Sequence, residues 1–399
     1  MQESEGFERQ RESIFDPPLW RQRREWLARF LWDKGITKVM DLGCGEGSLL
    51  DYLLSVRWDI QDLGVPRPRV PMTRLVGVDV SSEALNLSTE RCSPDDEDRL
   101  YPRWNPLSVE LYQGSLVEVD DRMRDIEAIV CCEVIEHLPE HSLVHVLDSV
   151  LGGYAPRFFL VTTPNVEYNP CLGMQSGTMR HPDHKFEWTR EEFQVWCKAG
   201  AEKHGYAVEF TGVGGEGSAL IGFCTQIAVF RAKEAEPRQA DPLEQGNSRT
   251  QGALRGGSGC PRSLHTPLQL VWQVAYPTRT AAFSDADIME RVDQVLPYLL
   301  NPVSDGAAPQ LDRLPLPSLW QVKDIRYRAR TVQRLIDVLL RSEGAFQVTW
   351  ASPQLPEEAV VHVTRAYPLP SSADDFEEME EGNGYAEEEE VEADRSESP

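Results

Sequence analysis

The chain has 399 residues, a length typical of two or three domains, and carries a formal net charge of −25. Nearly half of that charge lies in residues 374–399, which hold 13 acidic residues and one basic residue, and the acidity of the rest disfavours a protein that grips long nucleic-acid duplexes. The sequence contains no run of about 20 apolar residues, no apolar signal stretch near its start and no CxxC pair among its eight cysteines. We therefore expect a soluble, cytoplasmic protein with reduced thiols.

Strand-like and helix-like segments alternate over residues 1–233. The predicted strands are 37–43, 74–80, 109–114, 127–133, 157–163, 206–213 and 221–232, and an amphipathic helix is predicted at about 189–204. Two further helical faces are marked by apolar residues at helical spacing: Leu49, Leu50, Leu53 and Leu54, then Leu143, Val146, Leu147 and Val150. This order predicts an α/β domain with a mostly parallel sheet that helices cover on both faces.

The rest of the chain divides into three parts by composition. Residues 234–263 are rich in Gly, Ser, Gln and Arg without periodicity, which is typical of a flexible linker. Residues 264–368 are predicted to be a weakly ordered extension of unknown role, with two helical faces: Ile288, Val292, Val295 and Leu299 after a Ser284 cap, and Val332, Leu335, Ile336 and Leu339 before Gly344. Residues 369–399 are predicted to form a disordered acidic tail.

A glycine-rich turn, Gly43-Cys44-Gly45-Glu46-Gly47, follows the first predicted strand directly after Asp41 and Leu42. Alternate glycines let the backbone turn tightly and approach a ligand closely, and Asp41 can accept a hydrogen bond from a ligand ammonium group. The second strand ends at Asp79, where a carboxylate can bind both hydroxyls of a ribose, and the third ends beside Ser115. For the glycine motif taken alone, a purely structural turn is the alternative.

The ordered set of strand, glycines, acid and Ser115 resembles the class I S-adenosylmethionine-dependent methyltransferases, which have a Rossmann-like sheet. The resemblance extends over about residues 30–235 and implies S-adenosylmethionine as the cofactor. It further implies that Asp41, Gly43 and Gly45 hold the methionine part, while Asp79 holds the ribose and Ser115 lies on the adenine side. Residues 1–233 are then a methyltransferase domain that includes an N-terminal helix.

A second cluster of polar residues follows the fourth strand, at Glu133, Glu136 and His137. Pro139 disfavours helical geometry at the preceding residue, so a single turn is expected, and one turn brings positions i, i+3 and i+4 to one side. Two carboxylates so close together favour a bound cation, although solvated polar residues at a helix start are the alternative. His181 and His184 are both candidates for a fourth ligand, and spacing does not choose between them. This is a mixed oxygen and nitrogen set: the carboxylates suit Mg²⁺, which prefers oxygen, and the imidazoles indicate that Mn²⁺ or Co²⁺ would also serve.

A divalent cation beside a methyl donor predicts an oxygen nucleophile, because the ion binds a hydroxyl and lowers its pKa. A vicinal diol can bind such an ion through both oxygens, and the two candidates are a catechol and a terminal ribose. Glu-x-x-Glu-His followed by Thr163-Pro164-Asn165 is broadly similar to ubiquinone-pathway O-methyltransferases. The alternative function is therefore a small-molecule O-methyltransferase of the catechol or ubiquinone-pathway type, and a third hypothesis is an inactive scaffold.

Two other segments, 15–24 (FDPPLWRQRR) and 183–190 (DHKFEWTR), resemble signatures of the small-RNA 2′-O-methyltransferases. The animal members methylate the 3′-terminal ribose of PIWI-interacting RNAs and so protect the RNA ends. The resemblance implies Glu133, Glu136, His137 and His184 as metal ligands, and an ion bound to both terminal hydroxyls, so that a 3′ phosphate is refused. It also implies single-stranded small RNA as substrate, a PIWI-type protein that presents it, a monomeric enzyme and residence in cytoplasmic germ-cell granules.

Basic side chains on the first helix and near His184 are candidates for a short phosphate path: Arg21, Arg23, Arg24, Arg29, Arg180, Lys185 and Arg190. Trp20, Trp26 and Phe30 are possible stacking platforms for bases, although their helical spacing favours a core position. Arg326, Arg328, Arg330 and Arg334 are expected to form a solvated helix face rather than an RNA contact, and His141 and His145 are expected on the surface.

Overall fold

The computed structural model describes residues 15–55, 71–175, 177–215, 221–233, 265–300, 312–342, 344–349, 359–364 and 367. These residues fall into two compact units, the first ending at Thr278 and the second beginning at Arg279. The predicted linker at 234–263 and the predicted acidic tail at 369–399 lie outside the described residues.

The first unit is built on an eight-stranded sheet. Its strands are β1 (Lys38–Leu42), β2 (Arg74–Asp79), β3 (Ser108–Gln113), β4 (Ala128–Cys132), β5 (Phe158–Pro164), β6 (Tyr206–Val213), β7 (Thr225–Ala232) and β8 (Gln269–Ala275). The strand order is β6-β7-β5-β4-β1-β2-β3-β8. Strands β1 to β5 pair in parallel, whereas β6, β7 and β8 pair antiparallel with their neighbours.

Six α-helices accompany this sheet among the described residues. They are α1 (Leu19–Asp33), α2 (Ser48–Ser55), α3 (Ser82–Arg91), α4 (Asp96–Leu100), α5 (Glu140–Leu147) and α6 (Arg190–His204). A π-helical segment (Asp148–Tyr154) continues α5, and 3₁₀ turns lie at Asp121–Met123, Ile135–His137 and Val166–Leu172. The two predicted apolar faces of α2 and α5, with its continuation, are buried, and α6 begins with a capping box at Thr189.

The α/β class with a largely parallel sheet is confirmed, and the seven predicted strands coincide with β1 to β7 within a few residues. The strands are predictable from the sequence because they are apolar runs that become buried. Every residue of β5, for example, is buried, as expected for a strand covered on both faces. The strand order reverses between β1 and β4. The carboxyl ends of these strands are therefore where an open α/β sheet binds ligands.

Strand β8 differs from the expected organisation. The composition predicts a separate extension over residues 264–368, yet Gln269–Ala275 pairs antiparallel with β3 and completes the edge of the main sheet. Most of β8 is exposed, so its pattern carries little apolar periodicity. Strand β8 belongs to the sheet because it pairs with β3, about 160 residues earlier in the chain, and no local sequence pattern predicts such a pairing.

The second unit has its own hydrophobic core, which includes the fully buried Ile288, Leu296, Leu319, Ile325 and Leu335. It consists of α7 (Asp285–Leu300), β9 (Arg313–Pro315), α8 (Leu316–Gln321), α9 (Lys323–Ala329), α10 (Val332–Arg341), β10 (Phe346–Thr349) and β11 (Val360–Val363). The three strands form an antiparallel sheet in the order β10-β11-β9. The predicted faces of α7 and α10 line the core, and Ser284 caps α7.

Two members of the predicted arginine face pair with acids of the same unit, Arg328 with Asp324 and Arg334 with Asp285. Within the described residues, neither unit contains a helix with the length and apolar character needed to cross a membrane.

Candidate active site

The glycine turn after β1 is shaped by its backbone conformation. Gly43 and Gly45 have φ values of +79° and +52°, in the left-handed region that favours glycine. A Cβ on Gly43 would lie 2.5 Å from Val134 Cγ2, so this position has no room for a side chain, whereas a Cβ on Gly45 would meet open space. The N–H groups of Gly43 and Cys44 donate to the carbonyl of Val78, which fixes the turn against the end of β2.

Asp79 joins the glycine turn to the start of α3. Its Oδ2 accepts a hydrogen bond from the Gly45 N–H at 2.9 Å, and its Oδ1 accepts one from the Ser81 N–H at 2.9 Å. Each carboxylate oxygen retains a second acceptor position, so the side chain can also accept hydrogen bonds from ligand hydroxyls. This carboxylate is thus held in place by backbone donors before any ligand binds.

Asp41 is buried, with only 3% of its surface exposed. Burial, and then the neighbouring charge of Asp79, raise the pKa of Asp41 from 3.8 to about 7. A carboxyl group in this condition is stabilised in its ionised form by an approaching cation. Asp41, Gly43, Gly45, Asp79 and Ser115 together are called the cofactor half below.

A cavity of about 410 Å³ lies at the carboxyl ends of the strands. Gly43, Asp79 and Ser115 of the cofactor half line it, and so do Glu133 and His137. The remaining lining is mostly apolar: Val80, Leu116, Val117, Val134, Leu138 and, as a polar member, Ser142. Such a volume and such a lining, apolar with a few convergent polar groups, are typical of small-molecule sites.

Glu133 lies directly after β4 in an unusual backbone conformation. Its φ is +55°, in the left-handed region that residues other than glycine rarely adopt, and such positions cluster at functional sites. Thr162 of β5 holds the residue, because its hydroxyl donates to Glu133 Oε1 at 2.6 Å and accepts from the Glu133 N–H at 3.1 Å. The other carboxylate oxygen lies 3.5 Å from Nη1 of Arg23 on α1.

Glu136 is almost fully buried, with 1% of its surface exposed. Burial, followed by the charge of Glu133, raises its pKa well above the usual value for a glutamate. The Thr163 hydroxyl donates to Glu136 Oε2 at 3.0 Å and favours the ionised form, but only in part. A cation would stabilise a buried carboxylate that lies, like Glu136, beside a second, half-buried one.

Three histidines converge beside these glutamates. The potential ligand atoms of His137, His181 and His184 all lie within 4.8 Å of one another. His137 comes from the predicted single turn after β4, and the two others from the loop before α6. Neither Glu133 nor Glu136 belongs to this group of mutually close ligand atoms in the described part of the chain. Glu133, Glu136, His137, His181 and His184 are called the metal half below.

His184 differs from His181 in its surroundings. It is buried, with 7% exposed, and its Nδ1 forms a hydrogen bond of 2.7 Å with Glu187 Oε1. A carboxylate on one ring nitrogen orients the other toward a metal and makes it more basic, which is the usual arrangement around metal-binding histidines. Nδ1 of His181 instead accepts from the Asp183 N–H at 3.1 Å, and this side chain is half-buried.

His137 is exposed, yet the protein around its ring removes part of its hydration, and this effect, followed by the neighbouring His184 and His181, lowers its pKa. A lowered pKa favours the neutral imidazole, which is the form that donates a lone pair to a metal ion. His141 and His145, on α5, are exposed as expected.

The predicted phosphate path changes in the structure, since several of its members have internal partners. The Arg180 guanidinium donates to Asn169 Oδ1 and to the carbonyl of Asn165, and its backbone N–H donates to Glu187. Arg180 therefore supports the loop that carries His184. Arg190 pairs with Glu167 at 2.8 Å, and Arg21 with Glu25 at 2.9 Å.

The remaining basic side chains divide by exposure. Arg23 contacts Glu133, and Arg24 lies over the rings of Trp20 and Tyr52, with centroid distances of 4.9 and 4.5 Å. Arg29 and Lys185 are exposed.

The aromatic residues of α1 mostly pack inside the domain, as their spacing indicated. Trp26 stacks on Phe30 at 5.6 Å, and Phe30 contacts Phe158 of β5 edge-on at 5.3 Å. Trp20 is 38% exposed.

Thr162, Thr163, Arg180 and Glu187 support the metal half, a role that sequence reasoning assigned to none of them. The spacing of Glu187, three residues after His184, was the signal that could have identified it.

The chain was compared with known proteins, and no protein-family model matches it. A small RNA 2′-O-methyltransferase of Rattus norvegicus is 40% identical over 236 residues, covering 58% of this chain and 56% of the relative. The crystal structure of small RNA methyltransferase HEN1 is 31% identical with a TM-score of 0.48, covering 66% of this chain and 28% of that one. The methyltransferase domain of bacterial CtHen1-C is 36% identical with a TM-score of 0.43, covering 54% of this chain and 100% of that domain. The chain spans about half the length of the rat and mouse relatives it matches.

Proposed function

We propose that the chain belongs to the small-RNA 2′-O-methyltransferase family and that it methylates the 2′ hydroxyl of the 3′-terminal nucleotide of single-stranded small RNAs, with S-adenosylmethionine as donor. The observation that carries this proposal is the cavity lined both by Gly43, Asp79 and Ser115 and by Glu133 and His137. A methyl donor and its acceptor have to be aligned within one enclosed space, and this cavity joins the two halves that would hold them.

The cofactor half is proposed to hold S-adenosylmethionine, which supplies a methyl group activated by its sulfonium. Asp79 would bind the ribose hydroxyls and Ser115 would lie on the adenine side, as both line the cavity. Asp41, with Gly43 and Gly45, would hold the methionine part. The raised pKa of the buried Asp41 supports this assignment, because the cationic amino group of the methionine part would stabilise the ionised carboxylate.

The metal half is proposed to hold a divalent cation, Mg²⁺ or else Mn²⁺ or Co²⁺, through Glu133, Glu136, His137 and His184. The donor set fits such an ion: Glu136 is buried beside Glu133, and His184 is oriented by Glu187. A bound cation would supply Lewis acidity and would lower the pKa of the 2′ hydroxyl.

The chain's own residues contribute alignment and exclusion of water. Apolar side chains of Val134 and Leu138 line the cavity between the polar groups and limit solvent near the reacting atoms. Methyl transfer to the 2′ oxygen would replace the bond between the methyl carbon and sulfur, and the hydroxyl proton would have to leave the site for bulk water. Thr162 and Glu187 would keep Glu133 and His184 in position throughout.

The finer substrate assignment is PIWI-interacting RNA, presented by a PIWI-type protein to a monomeric enzyme in cytoplasmic germ-cell granules, with protection of the RNA 3′ end as the outcome. One contact supports a role for residues 15–24, the first segment that resembles the family. Arg23 of this segment lies 3.5 Å from Glu133, which lines the cavity. Arg29 and Lys185, which are exposed, are the proposed contacts to the phosphates of the last few nucleotides.

Transfer of labelled methyl from S-adenosylmethionine onto short single-stranded RNAs tests this function. We expect labelling of an RNA with a free terminal ribose, no labelling of the same RNA with a 2′-deoxy terminal nucleotide or a 3′ phosphate, and loss of labelling in EDTA. A catechol serves as the competing acceptor. Labelling of the catechol but of none of the RNAs would contradict the proposal and favour the small-molecule alternative.

A further inference from the structure

The loop between β3 and β4 forms one wall of the cavity, since Ser115, Leu116 and Val117 line it. On one side this loop is held by the segment that continues α5. The Ser149 hydroxyl donates to the carbonyl of Val117 at 2.6 Å, and the Tyr154 hydroxyl donates to the carbonyl of Glu118 at 2.9 Å.

The other side of the loop is held by residues 265–268, which come after the predicted linker. Asp121 exchanges two hydrogen bonds of 2.9 Å with the backbone of His265. Asp120, whose surface is fully buried, accepts from the Leu268 N–H at 3.2 Å and from Arg122, which in turn donates to the carbonyl of Leu268. The buried Asp120 carboxylate, with all of these hydrogen bonds formed, therefore fixes residues 265–268 to the loop between β3 and β4.

Leu268 itself packs against the start of the loop. It is 3% exposed and belongs to the same core cluster as Leu116 and Tyr112. A Cβ on Gly114 would lie 2.4 Å from Leu268 Cδ2, so the two residues already touch. The Gly114 N–H also donates to the carbonyl of Asp79 at 3.0 Å, which links this contact to the proposed ribose-binding residue.

The chain is anchored a second time at Tyr276, directly after β8. The Tyr276 N–H donates to the carbonyl of Leu107 at 2.9 Å, and its hydroxyl donates to the carbonyl of Cys92 at 2.9 Å. Residues 265–268 and the end of β8 are therefore both fixed to the rest of the first unit.

We infer that residues 265–268 are a positioning element of the cofactor pocket, with Leu268 as the positioning residue. The affinity for S-adenosylmethionine then depends on a part of the chain that follows the predicted linker, outside the Rossmann-like core of residues 1–233. The inference rests on the proposed function, because it takes the wall formed by Ser115, Leu116 and Val117 as the adenine side of the cofactor site.

Calorimetric titration of the full chain with S-adenosylmethionine tests the inference. For Leu268→Ala we expect the Kd to rise by about five- to tenfold, the size of a modest coupling between neighbouring sites. The KM for the cofactor should rise in parallel, whereas kcat at saturating cofactor and the KM for RNA should stay unchanged. Leu270→Ala is the matched control, since Leu270 lies on β8 with 37% of its surface exposed and should leave the Kd unchanged.

Gly114→Ala probes the same contact from the other side and should also raise the Kd. The double variant Gly114→Ala/Leu268→Ala should bind no more weakly than the weaker single variant, because removal of the leucine side chain makes room for the new methyl group. If Leu268→Ala does not fold, Gly114→Ala decides the question.

The outcomes separate the inference from the proposed function. Folded Leu268→Ala and Gly114→Ala that both bind the cofactor as the unaltered chain does would overturn the inference alone. Failure of the unaltered chain to bind S-adenosylmethionine would overturn the proposed function, and the inference with it.

Discussion

The two halves of the cavity are built in different ways. The geometry of the cofactor half is set mostly by the backbone: Gly43 and Gly45 adopt left-handed conformations, and backbone N–H groups hold Asp79. In the metal half, side chains from the segment after β4 and from the loop before α6 converge, and Thr162 and Thr163 of β5 hold the two glutamates. This difference predicts that changes in the cofactor half alter cofactor affinity, whereas changes in the metal half alter turnover and the response to metal.

The largest effect is expected at His184. His184→Ala should lower kcat for RNA methylation by more than about 100-fold, because loss of a ligand should exceed the effect of losing a residue that only supports one. Cofactor affinity should change little. His145→Ala is the control, since His145 is exposed on α5.

The same assay on His181→Ala determines which histidine is the fourth ligand. We expect a smaller loss, since His181 is half-buried and no carboxylate bond as short as that of His184 orients it. A greater loss for His181→Ala than for His184→Ala would show that the proposed ligand assignment is wrong.

Asp79→Asn is the corresponding change in the cofactor half. It removes the charge that would bind the ribose hydroxyls, and the KM for S-adenosylmethionine should rise by about 30-fold, the value of one strong hydrogen bond to a charged group. The kcat at saturating cofactor and the metal dependence should stay close to those of the unaltered chain. A variant with a normal KM and a low kcat would contradict the claim that changes in the cofactor half alter cofactor affinity rather than turnover.

Within the metal half, Glu187→Gln distinguishes a residue that orients a ligand from the ligands themselves. Glu187 would contact no substrate and acts through His184, so we expect the metal concentration at half-maximal activity to rise by about tenfold. Excess Mn²⁺ should restore kcat, which a general loss of folding would not allow. A loss of activity that no metal concentration restores would contradict the positioning role.

The smallest effect is a pH dependence of cofactor binding. The pKa of Asp41 is about 7 without a bound cation, so below that pH the carboxyl must lose a proton before it can pair with the cofactor's ammonium group. Affinity should therefore fall as the pH decreases, by about tenfold per unit at most. Asp41→Asn should bind more weakly and without this dependence, and an unchanged pH profile in that variant would refute the assignment.

The strands and the glycine turn were predictable from the sequence because each is a local feature. A buried parallel strand is a run of apolar residues, and a glycine turn before a helix lies within nine residues of β1. The metal half was predictable only in part. Glu133, Glu136 and His137 are contiguous, but the choice between His181 and His184 depends on Glu187 and on burial, which spacing does not report.

Other features depend on tertiary contacts and had no local signal. Strand β8 pairs with β3 across about 160 residues, and its exposed residues give it little periodicity. Arg180 has the appearance of a phosphate-binding side chain in the sequence, yet its partners are Asn165 and Asn169. The raised pKa of Asp41 likewise follows from its burial beside Asp79, a product of the folded sheet.

The position of the transferred methyl group tests the central claim most directly. After reaction of a short single-stranded RNA with S-adenosylmethionine, nuclease digestion and mass spectrometry identify the methylated nucleoside. We predict one 2′-O-methyl group, on the 3′-terminal nucleoside only, and none when EDTA is present. Methyl groups on internal nucleosides or on bases, or the same product in EDTA, would contradict an enzyme that binds a terminal ribose through a metal ion.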